Sequence, residues 1–194
     1  RAHMVDEAFT RQVGYWQALH EGYEPADLPT DHPRPMQVSY EGDDYVFKIN
    51  EVLSKQLRTL AQSQGVTLYT VLLTGFSIVL SRYIGQEDVV LGTPIANRHY
   101  PQIESLIGFF VNMLALRLKP LGESSLMACI QSVHHEVIEA QRNQDVPFEM
   151  LVAALNIERD TSRHPLFQIL FDVQRREEAG EDLSLFLSPI DLEG

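Results

Sequence analysis

The sequence predicts an α/β fold, a sheet packed against helices, and three observations carry that expectation. Segments with apolar residues at three- and four-residue spacings alternate with short β-branched runs. Gly, Pro and Asn stand at the junctions between them. Finally, 44% of the 194 residues are apolar and nine are phenylalanine, enough for one sizeable core.

Asp6 to Glu21 places Phe9, Val13, Trp16 and Leu19 on one stripe, an amphipathic helix. Pro25 to Pro35 holds four prolines and reads as an irregular linker. Asp44 to Ile49 alternates as a strand does. Asn50 is a suitable N-cap for a helix through Gln64, and Gly65 a terminator. Thr67 to about Gly85 is a largely apolar core helix, interrupted by Thr70, Thr74, Gly75, Ser77, Ser81 and Arg82, so it is too broken for a membrane span. Asp88 to Ile95 is a core strand, Ala96 to Leu106 a loop, and Phe109 to Leu118 a long apolar strand. Ser124 to Gln141 is a helix with an apolar stripe of Leu126, Ile130, Val133 and Val137. Pro147 to Leu155 is a short helix with Asp145 as its cap. Leu166 to Gln174 and Leu183 to Leu187 read as further strands, separated by the charged loop Arg175 to Asp182.

Fifteen basic residues against 27 acidic ones give a net charge of −12. Such a balance disfavours nucleic acid and anionic membrane surfaces, both of which need a basic footprint. A lone cysteine, Cys129, closes no internal disulfide and points to the reducing cytoplasm. Residues 1–4 read as a vector-derived scar, 5–35 as a helix and proline-rich linker, and 36–194 as the main folding unit.

Candidate chemistry is sparse. His134-His135 invites a catalytic or metal reading, but no second His or Cys follows at ligand spacing, and the helical stripe puts His135 outward and His134 at its flank. The pair reads as helix surface and Cys129 as packing. There is no glycine-rich phosphate loop, no Gly-x-Ser-x-Gly and no Cys-x-x-Cys. Asn143 to Glu149 reads as a helix start, with Pro147 in a first turn where its missing N–H costs nothing. Arg159 to Pro165 sets two arginines around Asp160 as a rigid turn. Asn112 interrupts an apolar strand, so its amide either fixes a neighbouring loop or lines a polar channel.

Three stretches stand in a fixed order: Ile107-Gly-Phe-Phe-Val-Asn-Met-Leu-Ala-Leu-Arg117, Asn143-Gln-Asp-Val-Pro-Phe-Glu149 and Arg159-Asp-Thr-Ser-Arg-His-Pro-Leu166. They resemble the last three core motifs of nonribosomal peptide synthetase condensation domains. Pro29-Thr-Asp-His-Pro-Arg-Pro35, Gly85 to Arg98 and Leu187-Ser-Pro189 resemble the same family. The likeness runs from Tyr15-Trp16 to Gly194, and it is closer to ordinary peptide-bond-forming members than to cyclising or epimerising ones. It implies one lobe of a chloramphenicol acetyltransferase-like fold, a mixed sheet packed against helices, bordering a tunnel between two lobes. The family's His-His-x-x-x-Asp-Gly motif belongs upstream and has no match here. The chain therefore resembles a C-terminal lobe, cut short at its C-terminus, without the catalytic histidine.

By this resemblance Gly108, Phe110, Asn112 and Arg117 line the path of a phosphopantetheine arm, and Thr93 to Ile107 is a crossover near the tunnel floor. Arg117 would bridge to a carboxylate on another lobe. Gln144, Asp145, Pro147, Arg159, Asp160 and Arg163 are framework near the cleft. No catalytic residue, covalently bound cofactor or metal ligand is expected in the chain itself. Implied partners are the N-terminal lobe, peptidyl carrier proteins and an adenylation domain, with self-association through exposed edges. Acidic carriers would need a local basic patch around Arg98, Arg159 and Arg163. Two other readings compete: a carrier-docking module without catalysis, and a small acyltransferase whose histidine comes from another chain.

Overall fold

The computed structural model describes residues 2–37, 41–96, 110–120, 122, 125–157 and 160–174. Among the described residues five helices and two strands follow one another in the order α1 (Ala2–Leu19), α2 (Glu51–Gln64), α3 (Leu68–Ile84), β1 (Val89–Ile95), β2 (Asn112–Leu118), α4 (Leu126–Arg142) and α5 (Phe148–Ala154).

Helix boundaries follow local chemistry. The Asn50 side chain accepts from the Leu53 N–H and opens α2, and Gly65 at φ +65° closes it. Thr67 caps α3 through the Thr70 N–H, and Gly85 at φ +71° ends it. Between the two caps the chain turns by 107°. Ser125 caps α4 in the same way. Among the described residues no single helix is long and apolar enough to cross a membrane.

The strands β1 and β2 pair antiparallel, Val89 opposite Leu118 and Ile95 opposite Asn112. Val89 to Thr93 are buried without alternation, as expected for a strand covered on both faces. A parallel bridge joins Gly92 to Leu170: the Gly92 N–H donates to the Ile169 carbonyl at 2.9 Å, and the Phe171 N–H donates to Gly92 at 2.8 Å. The pairing is thus mixed, but the strand expected over Leu166 to Gln174 is reduced to that single bridge. Gly92 permits it, since a Cβ there would lie 2.3 Å from the Phe167 ring.

Around this sheet α3 and α4 pack on each other, α4 against β2, α3 against β1, and α1 along α5. The core joins Trp16, Leu73, Val89 to Leu91, Leu114 to Leu116, Val133 and Leu151. Inside α3 the buried hydroxyls return to backbone carbonyls: Thr74 donates to Thr70 at 2.7 Å and Ser77 to Thr74 at 2.9 Å. Small polar residues thereby line a buried helix face without unpaired groups.

Several expectations are corrected. Asp44 to Ile49 is exposed and forms no strand with any of the described residues, none of which offers it a neighbouring backbone. The stripe of α4 is Cys129, Ile130, Val133, Val137 and Ala140, with Leu126 half exposed in the first turn. Asp145 does not cap α5; Pro147 holds the N-cap position and makes no side-chain hydrogen bond. Leu183 to Leu187 lies outside the described residues.

Candidate functional site

A small polar side chain at the start of β2 organises the region. Asn112 is buried, and its Nδ2 donates to the Gln144 and Val146 carbonyls, each at 2.9 Å. Its Oδ1 accepts from the Phe148 N–H at 3.1 Å. The cap that α5 lacks locally comes from a strand residue distant in sequence. The bond satisfies one of the free amides that every helix start carries.

From the other side α1 clasps the same loop. Gln12 forms a two-point contact with Asp145: its Nε2 donates to Oδ2 at 2.8 Å, and its Oε1 accepts from the Asp145 N–H at 3.0 Å. Trp16 Nε1 donates to the Asn143 carbonyl at 2.8 Å, and Gln17 Nε2 to the Ala154 carbonyl at 2.9 Å. Residues 143–148 are therefore held between α1 and β2. Gln12 and Gln17 escaped the sequence reading. Their one signal is position, as polar residues bordering the Trp16 stripe.

The third motif joins through aromatic packing. Phe148 meets Phe167 with centroids 5.2 Å apart, and His164 stacks on Phe167 at 5.9 Å and 14°. Asp160 accepts from the Ser162 N–H at 2.8 Å and hydroxyl at 2.6 Å, and pairs with Arg163 Nε at 3.1 Å. Those bonds from Ser162, with Arg163 adding to them, hold the Asp160 carboxyl below the usual carboxylate range. Leu166, buried with φ at +71°, is spanned by a Phe167 N–H to Pro165 carbonyl bond of 2.9 Å. That pattern is a tight three-residue turn with a strained centre.

Thus Asn112, Gln144, Asp145, Pro147, Asp160 and Arg163 belong to one contiguous region. Phe110 precedes β2 and is half buried. Gly108 and Arg159 lie outside the described residues, as do Arg98 and most of the loop after Ile95.

Arg117 stands apart, five strand residues or about 17 Å from Asn112. Its guanidinium grips Asp88 through Nε at 2.8 Å and Nη2 at 2.5 Å. Nη1 donates to the Leu19 and Glu21 carbonyls, both at 2.7 Å. The carboxylate expected on another lobe is therefore Asp88 of this chain, and the cation also closes the C-terminal end of α1. Beside it His20 is buried, stacked on Trp16 at 6.0 Å and 7°, and neither ring nitrogen has a hydrogen-bond partner. Burial lowers its pKa to about 4, and Arg117 adds to the effect; the nearby Ala115 backbone and Asp88 act in the opposite sense without offsetting it. His135 is exposed and His134 half buried. No cluster of three His, Cys, Asp or Glu residues suited to a metal occurs among the described residues.

A family model described as "Condensation domain" matches residues 3–186. Gramicidin S synthase 2 of Brevibacillus brevis is 43% identical over 188 residues, which cover 96% of this chain and 4% of that protein. Bacitracin synthase 2 of Bacillus licheniformis is 41% identical over 94% of this chain and 7% of its own length. The chain thus spans a small part of the curated relatives it matches. Among solved structures, a holo four-domain nonribosomal peptide synthetase bound to AMP and glycine superposes with a TM-score of 0.80 at 27% identity, over 92% of this chain and 14% of the other. The X-domain from teicoplanin biosynthesis gives 0.79 at 24% identity, over 84% of this chain and 36% of the other, a likeness of fold. Helices around a small mixed sheet, with these neighbours, place the fold in the chloramphenicol acetyltransferase-like class. With the described residues of its three motifs meeting beside β2 and α5 and its sequence matched over nearly its whole length, the chain belongs to the condensation-domain family of the nonribosomal peptide synthetases.

Proposed function

We propose that this chain is the C-terminal lobe of a condensation domain, which in the intact domain forms a peptide bond between carrier-bound aminoacyl and peptidyl thioesters. In that reaction the acceptor amine attacks the donor thioester carbonyl. A base manages the amine proton, and the collapsing oxyanion needs stabilisation. The observation that carries the reading is how the described motif residues are used. Asp145 is held by Gln12, Asp160 by Ser162 and Arg163, and the Asn112 amide by three backbone groups. These contacts suit a rigid wall, and they leave the proton transfer to a histidine on the N-terminal lobe.

In this reading the start of β2, with Gly108, Phe110 and Asn112, borders the path of a partner carrier's phosphopantetheine arm. Arg117 sets the far end of the same strand by holding it to α1 and Asp88. Partners are the N-terminal lobe, peptidyl carrier proteins and the adjoining adenylation domain of a cytoplasmic, antibiotic-producing assembly line, with self-association through exposed edges. The chain alone is then inactive.

The test adds the matching N-terminal lobe in trans and follows dipeptidyl-thioester formation by intact-protein mass spectrometry, with each lobe alone as control. Product only in the mixture is the expected outcome. Product from this chain alone would overturn the assignment of the base. Carrier binding with no product in either case would favour the docking-module reading.

A further inference from the structure

One peptide group is held from both sides. The unit joining Gln144 to Asp145 is trans, so its C=O and its N–H point in opposite directions. The C=O accepts from Asn112 Nδ2 at 2.9 Å, and the N–H donates to Gln12 Oε1 at 3.0 Å. A residue of β2 and a residue of α1 therefore face each other across a single peptide plane. One turn further along α1, Trp16 Nε1 holds the Asn143 carbonyl at 2.8 Å, so the same helix face grips the loop twice.

The contacts on either side continue this row in one sense. Gln12 Nε2 donates to the Asp145 carboxylate at 2.8 Å, and Asn112 Oδ1 accepts from the Phe148 N–H at 3.1 Å. The carbonyl of that last peptide group, on Pro147, accepts from the Leu151 N–H at 3.0 Å inside α5. The Gln12 side chain, the 144–145 peptide and the Asn112 side chain thus stand head to tail. Each donates toward Asp145 and accepts from the side of α5. In such a row every bond polarises the next and strengthens it by about 10–30%. A carboxylate drawing on the Gln12 N–H makes each carbonyl along the row a better acceptor. The negative charge of Asp145 therefore acts on the start of α5, although Asp145 does not cap that helix directly.

We infer that Gln12 is a positioning residue, which acts through this relay of amides to fix the 143–148 loop and the Asn112 side chain at the start of β2. Only a neutral amide at position 12 can accept from the Asp145 N–H and donate to its carboxylate at once. The relay stands on these contacts alone. Its bearing on peptide-bond formation rests on the reading above, in which Asn112 borders the path of the arm.

Residue-resolved amide hydrogen exchange on the 194-residue chain provides the test, with Gln12→Glu, Asp145→Asn and the double variant. Gln12→Glu sets two carboxylates against each other and breaks the row at its first link. Exchange at the Phe148 N–H, a group Gln12 does not bond, should then rise roughly fivefold while the β1–β2 ladder keeps its protection. In the double variant the introduced amide donates to the introduced carboxylate, so Phe148 should exchange within about twofold of Asp145→Asn alone. Wild-type protection at Phe148 in Gln12→Glu overturns the inference. So does a rise shared equally by the ladder amides, or a double variant that restores nothing. In the two-lobe assay Gln12→Glu should raise KM for the carrier-borne substrate about as much, with kcat nearly unchanged, and the double variant should reverse it. An unchanged KM overturns the link to the arm. A wild-type mixture that makes no product counts against the condensation reading, and the exchange arms still decide the relay.

Discussion

Replacing Asn112 by alanine removes one side chain and strands three backbone groups. The Phe148 N–H and the Val146 carbonyl lose a partner in a buried setting, and the Gln144 carbonyl loses one at its partly buried edge. An unsatisfied buried group costs about 1–3 kcal/mol. Two full losses and one partial loss therefore destabilise the chain by about 3–5 kcal/mol, against a total stability of about 5–15 kcal/mol for an ordinary domain. Urea unfolding followed by circular dichroism measures this as a shift of midpoint with little change of slope. Asn112→Asp separates the two halves of the role. The introduced carboxyl still accepts from Phe148 but, when ionised, faces two carbonyl oxygens. Its pKa should rise, and the variant should be more stable, relative to wild type, at pH 4 than at pH 7. A loss below about 1 kcal/mol for the alanine variant would refute the claim that this amide holds the 143–148 loop.

Three further outcomes follow from the same structure. Arg117→Lys keeps the charge but cannot fork onto Asp88 and reach the Leu19 and Glu21 carbonyls together, so it should cost about 1.5–3 kcal/mol in urea unfolding; a neutral result would remove the argument for its role at the end of α1. Gly92→Ala drives a Cβ into the buried Phe167 ring and should cost about 1–3 kcal/mol, with loss of amide protection at Phe171, whose N–H bonds to Gly92. His20 binds a proton near pH 4 when folded and near its ordinary 6.5 when unfolded. Its contribution is therefore complete above about pH 6.5 and falls by about 3 kcal/mol as the pH drops toward 4. His20→Phe keeps the ring on Trp16 and should flatten that slope; parallel pH profiles for variant and wild type would contradict the burial argument.

Where elements begin and end was readable from single residues. Asn50, Gly65, Gly85 and the proline linker act within a few bonds of themselves, through cap hydrogen bonds and backbone sterics that need no tertiary partner. The stripe on α1 and the unbroken apolar run of β1 are legible for the same reason, since periodicity records burial directly. Strand pairing is not local. Asp44–Ile49 and Leu166–Gln174 have strand composition, yet among the described residues the first pairs with none and the second makes a single bridge, because a strand exists only where another backbone lies beside it. The His134-His135 pair could be set aside from helix periodicity, whereas buried His20 carried no signal of its own. Its environment is made by Trp16, Tyr23 and Arg117, which come together only on folding.

The site divides along the same line. By itself the sequence determined the family, through three ordered motifs, and marked Asn112 as a polar residue needing partners. Only the tertiary structure decided what those residues do. It gave α5 a cap from β2 instead of from Asp145, clasped Asp145 with Gln12 of α1, and turned Arg117 onto Asp88 and the end of α1. Each of these bonds joins residues 29 to 133 positions apart. A hydrogen bond at such separation leaves no periodic or nearest-neighbour trace, because its partner is chosen by the packing of helices and strands and not by the residues that flank it.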